Sequence, residues 1–399
     1  MKYIYLFMTV FFALFLGSCN DEGVNDQSDV KVDNDAQKAI DVFMNYRAEL
    51  NNSLSRSANE TVDILEVVEM DIPVKLDNEA SISLSRSANV DRVKLHRVSF
   101  SSKGEKGLAI VSTDKRVRSN FMYCEKGSIE DTAYIEPVAD YIRFVIPYLC
   151  EDDLEAYYSG ETNSDEEILS RATQPTIYLD MKTQWSQEYP YNSALTQINC
   201  SGKMVYPPVG CTGLAIAQTL VYLLPNGYNL YPINKMREVV SCPTYPWGEY
   251  NDVIAQFIRG VSASYMTYKC DDGSAAWLAD ARNELRNWGF IEGTGYTYKA
   301  SNSLDKGKFY ASLQLNCPTL MSGDNGKKDA HTWILHGQRY NGSTREIYCN
   351  YGWSGICDGW YSDWQRPQNK YTGEYAISGS YYRNNKYMFF LQNKSTFYE

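Results

Sequence analysis

The sequence predicts an α+β protein made of two successive parts, each combining antiparallel sheet with helices. Short apolar runs bounded by Gly or charged residues, such as 107–113, have the length and composition of buried strands. Asn341-Gly342, a strong signal for a β-hairpin, stands between two further strand candidates. Helical spacing of apolar residues occurs at 35–54, and all eight Trp lie after residue 172. These observations predict mixed secondary structure and a change of domain near residue 172.

The N-terminus predicts an exported protein. After Lys2, the apolar run 3–16 is shorter than a bilayer-spanning helix requires and has the length of a signal-peptide core. It leads into Leu-Gly-Ser before Cys19, and small residues before a Cys resemble a bacterial lipobox, in which that Cys is lipidated. We therefore predict a lipoprotein signal peptide at 1–18 and a polar tether at 19–34. An ordinary signal peptide that contains a Cys is the alternative.

The first part, 35–171, is predicted to contain helices and antiparallel strands. Apolar residues at helical spacing indicate a helix at 35–54, and a strand-like stretch follows at 93–100. The run 107–113 is expected to be a buried strand, and 139–149 is a helix candidate. The first part is therefore expected to be a sheet with helices.

A stretch rich in Asp, Glu and Ser at 151–170 predicts an exposed linker between the parts. The heptapeptide SLSRSAN occurs at 53–59 and at 83–89, and its core Leu-Ser-Arg recurs at the predicted boundary, ending at Arg171. Nicking by proteases concentrates in exposed loops of small polar residues. Arg171 is therefore a candidate processing site that separates the first part from the second, 172–399. Chance repetition in Ser-rich linkers is the alternative.

Charge and cysteine content limit the partners. The net charge is −11 without a basic stripe, which argues against a nucleic-acid partner. Ten Cys in an exported chain permit disulfides, and pairing within each part and buried free thiols are both compatible with their positions. Cys349 and Cys357 lack the further His or Cys ligands that a zinc site would show, so no metal is expected.

A buried helix is predicted early in the second part. Pro and Gly residues at 207–210 precede Cys211, the run 212–224 is apolar on nearly every side, and Pro225 ends it. Cys211 is thus expected in the first turn. The positive end of a helix dipole favours the thiolate, which is the reactive form of Cys. A structural thiol or a disulfide partner is equally compatible with this feature alone.

A thiolate nucleophile needs a proton acceptor, and the chain has three His. One lies in the first part, which leaves His331 and His336 in the predicted hairpin. If Asn341-Gly342 is a two-residue turn, Asn350 lies opposite Trp333. On that register Asn350 is diagonal to His331 on the same face, within side-chain reach, and His336 faces the other side. An Asn beside a Cys–His pair can hold the imidazole in a useful tautomer.

Four separated motifs occur in order along the second part: Trp185-Ser186-Gln187, Val209-Gly210-Cys211, Ala330-His331, and Asn350 to Gly355 followed by Asp358-Gly359. Together with GLAIVSTDKR at 107–116, they resemble the streptopain family of bacterial papain-clan cysteine peptidases. The resemblance covers the chain from residue 35 to its end. It implies a pro-domain followed by a papain-like domain, in which a central helix bears the Cys and an antiparallel sheet bears the His and Asn.

The resemblance implies a role for each matched residue. Cys211 is implied as the nucleophile, His331 as the general base and later acid, and Asn350 as the residue that orients His331. Gln187 is implied as an oxyanion donor beside the Cys211 N–H. Trp353 matches a ring expected to pack near the Asn350–His331 pair.

The expected protein is a secreted cysteine endopeptidase made as a zymogen, which cuts proteins or peptides through a thioester without a cofactor. Its pro-domain, 35–171, is the expected intramolecular inhibitor. Cys19 is the expected lipid anchor in the outer membrane or at the cell surface, and cleavage of the pro-domain is expected to release the enzyme. A catalytically inactive relative that acts as an inhibitory or glycan-binding surface lipoprotein is the alternative.

Overall fold

The structure is a computed structural model of the 399-residue chain. Its described residues are 34–56, 60–75, 90–160, 175–270, 274–288, 296–300, 304–324, 330–364, 382 and 386–390. The predicted signal peptide, the lipidation site Cys19, the repeat at 83–89 and the processing site Arg171 lie outside these residues. Residues 34–399 form one compact unit.

Helices occur in both parts of the chain. The first part holds α1 (Asn34–Ser53), α2 (Ile129–Thr132), α3 (Glu136–Asp140), a π-helical turn (Tyr141–Val145) and α4 (Ile146–Ser159). The second part holds α5 (Cys211–Leu223), a 3₁₀ turn (Tyr228–Leu230), α6 (Ile233–Glu238), α7 (Asn251–Ser262), α8 (Leu278–Asn287) and α9 (Lys306–Gln314). The predicted helix at 35–54 is α1, and the candidate at 139–149 lies within the continuous helical stretch from α3 to α4.

The strands of the first part are β1 (Asp63–Lys75), β2 (Val90–Ser102), β3 (Glu105–Ser112) and β4 (Asn120–Cys124). Those of the second part are β5 (Ile177–Tyr178), β6 (Ile198–Cys200), β7 (Lys203–Val205), β8 (Tyr296–Ala300), β9 (Thr319–Asp324), β10 (Ala330–Asn341), β11 (Thr344–Asn350), β12 (Gly359–Ser362) and β13 (Lys386–Phe390). The predicted strands at 93–100 and 107–113 correspond to β2 and β3. Antiparallel strands and helices in both parts confirm the predicted α+β class.

One antiparallel sheet runs through both parts, with the described strands in the order β1-β2-β3-β4-β12-β11-β10-β9-β13-β8 and β5 paired to β10. The junction between the parts is the β4–β12 pair, where Cys124 lies opposite Gly359. A Cβ on Gly359 would lie 2.2 Å from the Tyr123 carbonyl oxygen, so only glycine lets the two strands approach at this point. The first part therefore extends the sheet of the second through backbone hydrogen bonds.

Helix α1 covers the same junction from one face. Its Phe43 and Tyr46 belong to a buried cluster that includes Phe100 of β2, Tyr123 of β4 and Trp360 of β12. Aromatic side chains of this size dominate the apolar area that a core removes from water. Because Trp360 comes from the second part, this core is shared between the two parts.

The prediction of an exposed linker is wrong over 151–159, which continue α4. Leu154 is completely buried, and the carboxylate of Asp153 accepts hydrogen bonds from the Arg118 backbone and guanidinium at 2.7–2.8 Å. Gly160 ends the helix in the left-handed conformation, with φ 68°. The acidic residues that suggested a linker thus lie on a packed helix. The remainder of that stretch, 161–170, lies outside the described residues.

Helix α5 is the central helix that the breaker pattern predicts. Every residue from Thr212 to Leu223 is buried, which agrees with a sequence that is apolar on nearly all sides. Burying each large aliphatic side chain contributes roughly 1.5–3 kcal/mol relative to leaving it exposed. The helix packs on β10 and α7, so its first residue is held close to the start of β10.

The β10–β11 hairpin forms, but its predicted register is wrong. Asn341 pairs with Thr344, so the turn is Gly342-Ser343, with Gly342 at φ 58°. This one-residue displacement of the turn preserves the facing parity. An irregularity between Leu335 and Gly337 then inserts one extra residue into β10, and Asn350 lies opposite Ile334. Because a bulge reverses which side chains share a face, the predicted pairing with Trp333 does not occur.

The described cysteines include one disulfide, Cys200–Cys270, within the second part. The other described Cys are free thiols, and all of these except Cys211 are buried. In the described part of the chain, no helix combines the length and the apolar character needed to cross a membrane.

Candidate active site

The backbone before α5 sets the position of Cys211. Gly210 precedes the helix at φ 87°, and a Cβ there would lie 2.2 Å from Met266 Cε and 2.6 Å from the Ser274 carbonyl oxygen. Glycine is therefore required by both its conformation and its surroundings. Cys211 is the first residue of the helix, where backbone N–H groups have no intrahelical acceptor. Its N–H is thus available to bind an anionic oxygen.

Two hydrogen bonds attach the start of α5 to its neighbours. Thr212 Oγ1 lies 2.9 Å from Thr332 Oγ1 of β10 and 2.9 Å from the Ala276 carbonyl oxygen. The thiol of Cys211, partly open to solvent, lies 4.0 Å from the Ala330 carbonyl oxygen. The start of the helix is consequently fixed against the start of β10, where His331 lies.

His331 is buried, and within the described ranges its hydrogen-bond partner is the Tyr351 carbonyl oxygen, 2.9 Å from Nε2. A carbonyl oxygen only accepts, so Nε2 carries the proton and Nδ1 holds the lone pair. The ring centroid of Trp353 lies 4.4 Å from that of His331, and the ring centroid of Trp333 lies 5.9 Å from it. The imidazole is thus held in one tautomer and lies close to two indole rings. One of them is Trp353, which the sequence motif predicts near the Asn350–His331 pair.

Asn350 does not bond to His331 directly, contrary to the predicted arrangement. Its amide donates to the Thr183 carbonyl at 3.1 Å, and its Oδ1 accepts from the Gly352 N–H at 3.0 Å. The physical reason is the bulge in β10, which gives Asn350 the opposite facing. However, the Gly352 N–H and the Tyr351 carbonyl belong to one peptide group. Asn350 therefore holds the peptide whose oxygen accepts from His331.

The segment from Thr183 to Gln187 connects the two sides of the site. The Gln187 carbonyl accepts from the Val209 N–H at 2.8 Å, two residues before Cys211. The Trp185 carbonyl accepts from the Ser354 N–H at 3.1 Å, beside Trp353. Gln187 is half-buried. The predicted oxyanion donor is therefore on a segment that is bonded both to the Cys211 segment and to the loop that carries Trp353.

Burial determines the protonation of the pair. It raises the pKa of the Cys211 thiol above its ordinary value, against hydrogen bonds with the Thr332 backbone and Thr212 that lower it. Burial also lowers the pKa of His331 to about 4, against the bond to the Tyr351 carbonyl, which raises it. Among the described residues, no hydrogen bond joins the Cys211 sulfur to an imidazole nitrogen. At neutral pH the unprocessed chain thus holds a thiol beside a neutral imidazole.

The segment that contains Cys211 and His331 matches a known protein family. Residues 185–361 match the model of the Peptidase C10 family. The chain carries a Peptidase C10 domain. It is therefore a cysteine-type peptidase, as the streptopain-like motifs predict. The matched segment contains all four residues that the motifs assign to catalysis. No curated protein is similar enough to the chain to count as a match.

Two solved structures resemble the chain. A fragment of prointerpain A from Prevotella intermedia shares 18% identity over 73% of this chain and 94% of its own, with a TM-score of 0.49. Active interpain A cysteine protease from Prevotella intermedia shares 21% identity over 55% of this chain and 96% of its own, with a TM-score of 0.41. Because both TM-scores lie below 0.5, the family assignment rests on the sequence match alone.

The C10 domain also contains functional groups that the sequence argument missed. The acceptor for His331 is a backbone carbonyl, that of Tyr351, which no side-chain pattern can reveal. The Thr212–Thr332 bond joins residues adjacent to Cys211 and His331. The other buried His of the second part, His336, donates from Nδ1 to the Leu179 carbonyl at 2.9 Å and lies outside the site.

Proposed function

We propose that the chain is the inactive precursor of a secreted cysteine endopeptidase, with Cys211 as nucleophile and His331 as general base and acid. The observation that carries the proposal is the junction of α5 with β10. The Thr212–Thr332 bond holds the first turn of α5 beside the start of the strand. There, the bond of His331 Nε2 to Tyr351 leaves Nδ1 as the nitrogen that accepts a proton.

The proposed reaction uses these groups in sequence. Nδ1 of His331 takes the thiol proton, and the Cys211 sulfur attacks the carbonyl carbon of a peptide bond. The Cys211 N–H and the Gln187 amide bind the resulting oxyanion, and each such donor contributes roughly 3 kcal/mol to the transition state. The imidazolium returns its proton to the leaving amine. Water then hydrolyses the thioester, with His331 acting again as base.

Contacts from the first part support a role for it in latency. The Cys357 N–H donates to the Lys126 carbonyl at 2.7 Å, and the Cys124 thiol donates to the Cys357 carbonyl at 3.4 Å. Cys357 ends the same loop that begins with Tyr351, the partner of His331. The first part thus holds the loop that positions the base. We expect its removal to free this loop and allow the imidazole to approach the thiol.

The test compares the full-length chain before and after limited tryptic cleavage, with trypsin then inhibited. Only the cleaved chain is expected to hydrolyse denatured casein and to be labelled at Cys211 by an epoxide inhibitor of cysteine peptidases. Cys211→Ala is expected to abolish both, because the nucleophile is lost. Cys242→Ala, which removes a buried thiol of the same part, is the matched control and should keep both.

A cleaved wild-type chain that neither hydrolyses casein nor takes the label would contradict the proposal. That result would favour the inactive, surface-binding relative instead. N-terminal sequencing of the active product locates the cut. A start at Ala172 supports processing after Arg171, and a start well inside 173–191 refutes it.

We also propose that the precursor is exported and anchored by a lipid on Cys19. The support is the sequence alone: a short apolar core followed by small residues before that Cys. Metabolic labelling with radioactive palmitate is expected to mark the wild-type chain and not Cys19→Ala. Equal labelling of both would remove the anchor from the proposal.

A further inference from the structure

Asp358 is a buried carboxylate that the proposed reaction does not use. It follows the loop that starts at Tyr351 and directly precedes β12, and it is only 4% exposed. The sequence motif ends on this residue and Gly359, but none of the catalytic roles implied by that motif includes it. A buried acid in this position needs a physical explanation, because an ionised carboxylate is costly to remove from water.

The contacts of Asp358 lead directly to the catalytic base. Its Oδ1 accepts from the Tyr351 N–H at 2.8 Å. The carbonyl of the same Tyr351 lies 2.9 Å from His331 Nε2. A single residue thus lies between the carboxylate and the imidazole, and it is bonded to both. Any displacement of the Tyr351 backbone would move the acceptor that sets the tautomer and the direction of His331.

A comparison with a second acid, the partly buried Asp363, separates this role from ordinary packing. Asp363 is bonded through Oδ2 to the Arg345 guanidinium at 2.5 and 2.8 Å, so a cation balances its charge. Among the described residues, Asp358 forms no such ion pair, and Lys126 acts on it only at longer range. Burial accordingly raises the pKa of Asp358 to about 7, against the Tyr351 N–H, which lowers it. Buried acids without a cation partner concentrate at functional sites.

We propose that Asp358 is a positioning residue for the catalytic base, which it orients by holding the Tyr351 backbone. Together with Asn350, it fixes both peptide groups on either side of the Tyr351 Cα. The first of these peptides donates to Asp358, and the second donates to Asn350 and accepts from His331. This assignment rests on the proposed function, because it needs His331 to act as the base.

The test measures kcat and KM of the processed chain for Asp358→Ala, Asp358→Asn and the control Asp363→Asn. Loss of a hydrogen bond to a charged acceptor is expected to lower kcat of Asp358→Ala by about 10- to 100-fold, with KM almost unchanged. Asp358→Asn keeps an acceptor at Oδ1 and should recover most of this loss, to within about threefold of wild type, because a neutral acceptor is weaker. Asp363→Asn should lower thermal stability without lowering kcat.

Several outcomes would overturn the assignment. The first is a kcat of Asp358→Ala that is no lower than that of Asp363→Asn. The second is a parallel loss of kcat and thermal stability in both variants. The third is a rise in KM of Asp358→Ala that is as large as its loss in kcat. If Asp358→Ala does not fold, Asp358→Asn decides: a kcat about two- to threefold below wild type at constant KM supports the role, and a kcat equal to that of wild type refutes it. An active wild type together with a wild-type kcat in Asp358→Ala would refute this inference and leave the proposed function intact. An inactive processed wild type would refute the function itself.

Discussion

Strand β10 carries a buried polar group near each end, and the two groups differ in the charges that surround them. Near its start lies His331, in the candidate active site. Near its end lies Arg339, paired with Glu346 of β11, and both are almost completely buried. The contrast shows how the same strand supplies a structural connection at one end and a reactive group at the other.

At the charged end, an ion pair balances the charge of each partner. The Glu346 carboxylate accepts from Arg339 Nε at 2.6 Å, from Tyr46 Oη at 2.8 Å and from Asn120 Nδ2 at 2.9 Å. The Arg339 guanidinium also lies over the Tyr46 ring, 4.6 Å from its centroid. Since Tyr46 and Asn120 belong to the first part, this network joins the two parts beneath α1. A buried carboxylate with this many hydrogen-bond donors is fixed in position.

At the reactive end, no charged side chain among the described residues pairs with His331. Its hydrogen bond to the neutral Tyr351 carbonyl raises the pKa of the imidazole less than burial lowers it, so the imidazole is unprotonated. The lone pair on Nδ1 is therefore preserved at neutral pH. Arg339, whose charge is balanced by Glu346, therefore has a structural role. His331, whose hydrogen-bond acceptor is neutral, stays able to take up and release a proton.

The largest expected effect is on the free energy of unfolding, at the Arg339–Glu346 end of β10. Glu346→Ala leaves Arg339 buried without its carboxylate, and we expect unfolding to become easier by about 3–5 kcal/mol. Urea denaturation of the unprocessed chain measures this loss. The matched control is Glu238→Ala, which breaks an exposed pair with Lys182 and should cost at most about 1 kcal/mol. Equal losses in the two variants would show that the buried network is not the main connection.

The second prediction concerns acid stability. Burial lowers the pKa of both His331 and His336 to about 4 from an ordinary 6.5. The unfolded chain therefore binds these protons first as the pH falls, so the free energy of unfolding should drop between pH 6.5 and 4, by about 3 kcal/mol per His. Above pH 6.5 this contribution is fully present.

Urea denaturation at steps from pH 7 to pH 4 measures the acid effect. His336→Gln removes one titrating group outside the site, and its stability should decline less steeply than that of wild type over this range. Parallel curves for the two proteins would contradict the assignment of neutral buried imidazoles. The comparison isolates the His contribution from that of the carboxylates, which the two proteins share.

The smallest expected effect is on kcat and concerns Asn350, near His331. Asn350→Ala removes the acceptor for the Gly352 N–H, a hydrogen bond worth about 1 kcal/mol, so kcat should fall about fivefold. Asn350→Asp keeps that acceptor and should retain more of the activity. Steady-state kinetics of the processed chain measures both. A loss as large as that expected for a direct partner of His331, about 10⁴-fold, would show instead that Asn350 contacts the base during catalysis.

Much of the fold followed from local sequence patterns. The Pro-Gly stretch before Cys211 and the uniformly apolar run after it predicted α5, because both features act within one helix. Helical spacing predicted α1, and bounded apolar runs predicted strands. The acidic stretch after residue 150 led to the wrong prediction of an exposed linker, because its burial depends on Arg118 and on a core that is distant in sequence.

The sequence suggested candidate residues for the site, but it did not predict the hydrogen bonds that these residues form. The sequence by itself determined which side chains are candidates for the chemistry, since a Cys at a helix start and a His at a strand start follow from nearby residues. Only the tertiary structure decided that a bulge near His336 turns Asn350 away, and that His331 bonds to the carbonyl of Tyr351. Every residue carries such a carbonyl, so only the path of the backbone determines which one serves the base.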